Sequence, residues 1–395
     1  MIVIVSDLRL TDGTLGPSLS AADVRCFARQ LSEVAALPRQ HACGDGRPIE
    51  SIDLVLLGDA IDLMQSSLWL DHAERPWHDP YAPELVDLIA RITERILEHN
   101  AATLKVFQAT AEGTVPVRIH YMVGDCDWPF HLPGRFYDRL RLRVAERFGM
   151  AAAAADQPFP HDPAENEALF KVMRWHRVIA RHGDIFDPIH FDEDRNASSL
   201  GDAVAIEIVG RFQREVRAGF AEDLSSAACD EFAELGRRRP LVLAPARIEA
   251  VLERSCRSAA FKQDVKSLWD RLVDRFVELL FVRTRGAWNP VDLVDGLLDL
   301  LKFSRGAASG RSGALASWLR GGVRREEASR AILGHRPEIK LAGRRSSPFV
   351  ERIAGSAATW PNFLVVFAAG ESQDCPYVAG RADWPFARLE SRSAA

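Results

Sequence analysis

Five acids and imidazoles in this chain each follow a short apolar run. Asp7 follows residues 2–5, Asp59 follows 52–57 and Asp125 follows 117–123. His182 follows residues 177–181, and His335 follows 331–333. Each run is closed by a glycine or by the tight Ser6-Asp7 pair. One aspartate after a strand is ordinarily a cap or a turn residue. Five such positions, spread over more than 320 residues, are harder to assign to caps. Carboxylates and imidazoles gathered at strand ends are the donors a divalent metal needs, with oxygen suiting Mn or Mg and imidazole suiting Mn, Fe, Ni or Zn. Two such ions about 3.5–4 Å apart would clamp a phosphate and activate a water.

Strands must position these residues. The five runs have the length and apolarity of core strands, and loops at the ends of such strands are where layered α/β proteins collect ligands. Between them the spacing predicts helices over 21–36, after Ser20 as a cap, and over 83–105, with Leu85, Leu88, Ile89, Ile92, Ile96 and Leu97 on one face. Residues 151–163, rich in Ala and Pro, read as a loop. From about 200 to 330 the pattern is helical throughout, with expected helices over 203–218, 246–257, 261–282 and 290–303. A flexible stretch, GAASGRSG, lies at 306–313. The expected organisation is a core of 1–199 and 331–380, a helical insertion of 200–330 and a tail of 381–395, expected to fray from Trp384 to Ala395.

The blocks SDLRL, LLGDAIDL, YMVGDCDW, ARHGDIFDP and ILGHRPEI, taken in order, resemble the five-block signature of calcineurin-like metallophosphoesterases. The resemblance runs from residue 1 to about 370. GDAID at 58–62 and HGDIFDP at 182–188 are its most specific matches. It implies an α/β fold, a four-layer αββα sandwich with a large all-helical insertion, and hydrolysis of phosphate esters at a dinuclear metal centre. It also implies metal ligands at Asp7, Asp59, Asp125, His182 and His335. Asp62, Asp127 and Asp184 would support the site, with Asp187 helping to hold the His182 loop.

The chain departs from that signature at three places. Arg9 stands where the first block has a ligand His. The fifth block passes from His335 to Arg336 and Pro337, so its second His is missing. Cys126 takes the position of the His that assists the phosphate, and a thiol with a pKa near 8.5 is neutral at pH 7. The first metal site therefore keeps Asp7 and Asp59 but loses both imidazoles. The other keeps Asp59, Asp125, His182 and His335, enough for one divalent metal (Mn, Fe, Zn or Ni). A guanidinium is permanently charged and bidentate toward carboxylates, so Arg9 is expected to occupy the vacated site as an internal cation. Cys126, between two aspartates, is expected to have a raised pKa and to be a poor nucleophile.

The remaining features have plainer readings. His190, Asp192, Glu193 and Asp194 read as a solvated acidic loop, and His72, His78 and His131 as surface histidines. Residues 135–147, with five arginines among Phe136 and Tyr137, read as an amphipathic helix with a solvated basic face. Most of the nine tryptophans read as packing.

A chain with 47% hydrophobic and 27% charged residues is a folding composition, not a disordered one. The net charge of −5 gives no basis for a sequence-independent grip on nucleic acid, while leaving room for a local basic patch. The six cysteines form no CxxC pair, so neither a zinc knuckle nor a disulfide framework is signalled. The start MIVIVSD has no secretory pattern, and no apolar run reaches membrane-spanning length. The expectation is a cytoplasmic protein with no membrane association. Two functions stand. One is a degenerate, weakly active or inactive member that binds a protein partner through the helical insertion or holds a phosphorylated ligand. The other is an active phosphodiesterase or phosphatase using one metal plus Arg9 on a phosphorylated small molecule or nucleotide. A nuclease using the basic stretch around Arg139 is a weaker third.

Overall fold

A computed structural model describes residues 1–36, 49–113, 115–176, 178–184, 189–191, 194–238, 241–288 and 293–304. It also describes the strand segments 338–341, 349–352, 362–366, 377–378 and 387–388. The architecture is mixed α/β. The first sheet contains β1 (Ile2–Ser6), β2 (Ile52–Leu57) and β3 (Val117–Met122), parallel and in the order β3-β2-β1. The register pairs Ile2 with Asp53 and Ile52 with Val117. On its other edge β1 pairs antiparallel with a late strand, Asn362–Val366, matching Ile2 with Val366. A second sheet is antiparallel: β4 (Val178–Arg181), β5 (Glu338–Leu341) and β6 (Phe349–Arg352). Numbering the Asn362–Val366 strand β7, the last pair is β8 (Tyr377–Val378) with β9 (Ala387–Arg388). Residues 387–388, expected to fray, are thus paired. The expected strand at 331–333, like the stretch 306–313, lies outside the described residues.

β1 and β2 are buried along their whole length, which explains why they read as continuous apolar runs and not as alternating ones. On one face of the first sheet Ile2, Ile4, Val55, Leu57 and Met122 pack with Leu169 and Met173 and with Ala180 of β4. On the other, Val3, Val5, Leu54, Leu56 and Ile119 join the main core. Each such aliphatic side chain, fully buried, contributes about 1.5–3 kcal/mol of transfer free energy.

The flanking helices are α1 (Ala21–Ala36), α2 (Pro83–His99), α3 (Ala101–Ala111), α4 (Arg135–Phe148) and α5 (Glu167–Trp175). The single helix expected over 83–105 is two. Asn100 interrupts it, with its side-chain amide donating to the carbonyls of Thr11 and Ile96 at 2.7 and 2.8 Å. The loop expected over 151–163 contains a short 3-10 turn, Ala152–Ala155. In α4 the expected solvated basic face is incomplete. Arg141 is fully buried and donates to the carbonyls of Phe130 and Leu132, bracing the turn after the Asp125 loop.

The later segment is helical. α6 starts at Leu200–Ala203, continues as a π-helix over Val204–Gly210 and returns to α-helix over Arg211–Gly219. It is followed by α7 (Ser226–Ala233), α8 (Ala244–Ser255), α9 (Ala259–Val277), α10 (Leu280–Trp288) and α11 (Leu293–Leu301). These helices do not form a separate core. Val209, Phe212, Trp269 and Phe276 belong to the same buried cluster as the first sheet. Glu207 on the π-helix is held between Arg75 and Arg211, each at 2.5 Å, and Arg217 donates to the carbonyl of Thr14. Among the described residues, no helix is long and apolar enough to cross a membrane.

Candidate functional site

The ends of β1, β2, β3 and β4 bring Asp7, Asp59, Asp125 and His182 together. The loops after β1 and β2 run side by side. The Arg9 amide donates to the Asp59 carbonyl at 2.9 Å, Leu10 to Ala60 at 3.1 Å, and Asp62 back to Leu10 at 2.9 Å. This pairing holds three non-glycine residues in the left-handed region: Asp7 (φ 58°), Arg9 (φ 48°) and Asp59 (φ 53°). Such a conformation is costly for residues with a Cβ and persists only where its surroundings enforce it. Its effect is to turn three charged side chains inward from adjacent strand ends.

Arg9 lies at the centre, 3% exposed. Its Nη2 contacts Asp7 Oδ1 at 3.0 Å and Asp59 Oδ2 at 2.5 Å. Its Nη1 donates to Asp62 Oδ2 at 3.2 Å and to Cys126 Sγ at 3.2 Å. The guanidinium therefore sits among the carboxylates of the first and second loops and the Cys126 thiol of the third. Burial disfavours its charge, but Cys126 and the three carboxylates outweigh that and push its pKa further up. Asp59 shows the same balance from the other side. Burial and Asp125 oppose ionisation, yet Arg9 and His182 hold its carboxyl below the ordinary range.

His182 is fixed at both ring nitrogens. Nδ1 lies 2.9 Å from the Leu57 carbonyl, and Nε2 lies 3.2 Å from Asp125 Oδ1 and 3.6 Å from Asp59 Oδ2. A carbonyl only accepts, so Nδ1 carries a proton. Nε2, facing two carboxylates, then needs a proton or a metal. Burial works against the charged ring, and Asp59 and Asp125 overcome it and raise the pKa. Two glycines make this placement possible. A Cβ at Gly58, itself at φ 80°, would lie 2.5 Å from the His182 ring. A Cβ at Gly124 would lie 2.5 Å from Asp59 Oδ1.

Cys126 is buried, its amide donates to Asp59 Oδ1 at 2.8 Å, and burial with Asp125, Asp59 and Asp62 pushes its thiol up. It is a neutral thiol and not a nucleophile. Asp127 gathers four donors. The Asp59 and Gly124 amides face Oδ1 at 3.4 and 2.6 Å, while the Ala60 amide and Tyr121 hydroxyl face Oδ2 at 3.1 and 2.7 Å. It ties the loop after β2 to β3 and the loop that follows it. Burial and Asp59 push its pKa up to about 7 against those donors.

The acidic loop after His182 differs from expectation. His190 is not solvated. Its side chain is 7% exposed, with Nδ1 2.9 Å from Asp125 Oδ2. A glycine permits this too, because a Cβ at Gly201 would lie 2.3 Å from that ring. His131 is likewise no surface histidine: it is half-buried, with its ring 4.6 Å from that of His161. Asp184 is buried beside His182. His335, Asp187, Asp192 and Glu193 lie outside the described residues.

Beside Asp125, two buried groups, Asp202 and His161, escaped the sequence reading. Asp202 accepts at Oδ2 from Trp128 Nε1, Ser198 Oγ and the Ser199 amide. Burial pushes its pKa up to about 7. His161 is 6% exposed, and its ring is kept neutral by burial, His131 and Arg195. Neither follows a strand, so the rule that found the other residues passes over them. The one available signal is the S-x-x-D capping pattern at 199–202.

The donor atoms of Asp7, Asp59 and His182, and those of Asp59, Asp125 and Cys126, each lie within 4.8 Å of one another and could hold a metal ion. The first set already shares Arg9. The second includes a thiol that burial keeps protonated. Ligands about 2.1 Å from a common ion stand about 3 Å apart in cis positions, comparable with the His182–Asp125 separation. Compared with known proteins, the chain matches no family model, no curated protein and no solved structure.

Proposed function

We propose that this chain is a metallophosphoesterase-like protein whose dinuclear centre has given way to an internal ion-pair knot. It serves as a binding or assembly subunit with little or no hydrolytic activity. The observation that carries this reading is the Arg9 guanidinium. Each of its Nη nitrogens has two partners, and they bind it to Asp7, Asp59, Asp62 and Cys126. A cation so engaged fills the place of a first metal. It has no spare Nη donors for a phosphate, and it does not activate water.

The fold in this proposal is the four-layer αββα sandwich. Two sheets, with a separate apolar cluster joining β1 and β2 to β4, support it. Residues 1–199 and 331–380 form the core, 200–330 the helical insertion and 381–395 the tail. The insertion supplies the surface for a protein partner.

A second reading, hydrolysis with one metal, is favoured by His182. Its Nδ1 anchor on Leu57 aims Nε2 at Asp59 and Asp125, as a ligand's would be aimed. His335 would complete that set. Arg9 would then add positive charge beside the phosphate, but it would first have to leave its carboxylates.

The test is metal content of protein purified with Mn2+ present, together with hydrolysis of a bis-aryl phosphodiester. The expected result is no turnover above background. Near-stoichiometric metal, with turnover that His182→Ala abolishes, would overturn the binding-subunit reading in favour of the one-metal enzyme.

A further inference from the structure

One turn of the helical segment rests on the two loops that carry Arg9, Asp59 and Asp62. It follows α7 and is closed by backbone hydrogen bonds from the Leu235 amide to Phe232, Arg237 to Glu234 and Arg238 to Leu235, at 3.2, 3.1 and 3.3 Å. Its first half is anchored. Phe232 and Leu235 are buried in the main core, and Gln213 donates to the carbonyls of Phe232 and Ala233 at 3.1 and 2.8 Å. The Ala233 carbonyl also presses on Gly16 in the loop after β1, 2.7 Å from where a Cβ would stand.

The second half, residues 236–238, is held differently. Gly236 lies against the Gln65 carboxamide in the loop after β2, with no space for a Cβ between them. Gln65 is 1% exposed, and among the described residues neither its Oε1 nor its Nε2 has a hydrogen-bond partner. Arg237, next in the chain, is also largely withdrawn from water. Its Nη1 stands 3.9 Å from Glu234, beyond the about 2.7–2.9 Å of a charged hydrogen bond. Burial pulls its pKa down, and Arg9 and Asp62 are near enough to act on it in opposite senses.

A contact of this kind is weak for its area. Gln65 and Arg237 give up water on docking and gain little in exchange, and both regain it on separation. Residues 236–238, one glycine and two arginines, bring no apolar side chain to the contact. Segments with few buried apolar contacts open on their own, well below the free energy of global unfolding. The anchor at Leu235 lets 236–238 lift without disturbing α7.

We propose that residues 236–238 are an autoinhibitory strap, which covers the loop carrying Asp62 when docked on Gln65 and opens independently of the rest of the fold. The strap deepens the binding-subunit reading and rests on it for its purpose: a partner that engages the helical segment reaches the Arg9 knot by drawing the strap away.

The test is amide hydrogen exchange of the full-length protein, without metal or substrate, at rising urea below the unfolding transition. Exchange within 236–238 is expected to be fast and insensitive to urea, while the buried face of α9 follows the urea dependence of global unfolding. Gln65→Met keeps the length of the side chain and removes both stranded polar atoms, so it should slow exchange at 236–238 at least about fivefold and leave α9 unchanged. Exchange at 236–238 with the urea dependence of α9 would overturn the strap, because the turn would then open only with the whole molecule. Unchanged or faster exchange in Gln65→Met would overturn it too, because the Gln65 amide would then be satisfied where it lies. Either failure leaves the reading of Arg9 standing, which rests on its own contacts. Turnover with Mn2+ would overturn that reading without altering the exchange result.

Discussion

Replacing Arg9 by alanine removes the ion-pair partner of Asp62 at 3.2 Å, and the main partner of Asp59 apart from His182. Asp59 and Asp62 have fully buried side chains, while that of Asp7 is 19% exposed and can fall back on water. Two buried carboxylates are thus left without their cation. Breaking a buried pair by removing one partner costs about 3–5 kcal/mol, much of it the penalty on the stranded charge. We expect a loss in that range at pH 7, read as a lowered midpoint and unchanged slope in urea unfolding. Acidification should shrink the loss, because protonating the stranded acids relieves it. Mn2+ should restore part of the stability of Arg9→Ala and do little for the parent, since the variant recreates a pair of carboxylates facing a space of cation size. Arg9→Lys should fall between the two, as an ammonium cannot span Asp7, Asp59 and Asp62 with paired donors. A loss under about 1 kcal/mol, the range of surface pairs, would refute the view that Arg9 holds the loops together. A loss that Mn2+ does not relieve would refute its equivalence to a metal.

Three other substitutions separate the supporting roles. Asp127→Asn should destabilise by about 2–4 kcal/mol in urea unfolding, because both its oxygens accept two donors and an amide must turn an NH2 toward one pair. Asp202→Asn should cost less than about 1 kcal/mol at pH 5, because all three of its donors converge on Oδ2 and the amide oxygen can take that place. Its pH dependence follows from a folded pKa near 7, above the ordinary value of about 4. The stability due to the proton on Asp202 is full below pH ~4 and is lost as pH rises through about 7. Asp202→Asn should therefore gain on the parent between those limits, and equal slopes across that window would count against a protonated Asp202. Gly58→Ala should lose at least about 2 kcal/mol, since its φ of 80° and the His182 ring 2.5 Å from the new Cβ both resist the side chain. A melting temperature within a degree of the parent would show that the loop has slack.

How much of the site could be read in advance depended on distance along the chain. A strand end is a local pattern, so Asp7, Asp59, Asp125 and His182 could be picked from short apolar runs closed by glycine. The meaning of Gly58 and Gly124 was hidden in the same stretches. Each glycine reads locally as a turn, and only the His182 ring, more than fifty residues on, shows what a Cβ would strike. His190 was misjudged for a similar reason. Beside Asp192, Glu193 and Asp194 it looks like part of a solvated loop, and nothing within that loop announces that Gly201 has cleared a place for it against Asp125. Asp53 gives the opposite lesson. A charge inside the apolar run 52–57 is visible at once, but its partners Arg118, His120 and His176 lie on β3 and just after α5.

The sequence by itself determined which side chains end the strands, and that Arg9 stands two residues after Asp7 and Cys126 directly after Asp125. These are matters of residue type and short spacing, and hydrophobic periodicity reports them directly. The tertiary structure alone decided what those residues do. Arg9 meets Asp62 and Cys126 across 53 and 117 residues. β1 acquires β7, more than 350 residues later, as its antiparallel neighbour. The helix expected over 83–105 breaks because Asn100 is bound to a carbonyl of the loop after β1. The helical segment packs on the main core through close approaches such as Leu15 against Gly210 and Gly16 against the Ala233 carbonyl. Periodicity carries no record of contacts at such separations; they come from packing buried faces together and satisfying the charges trapped between them.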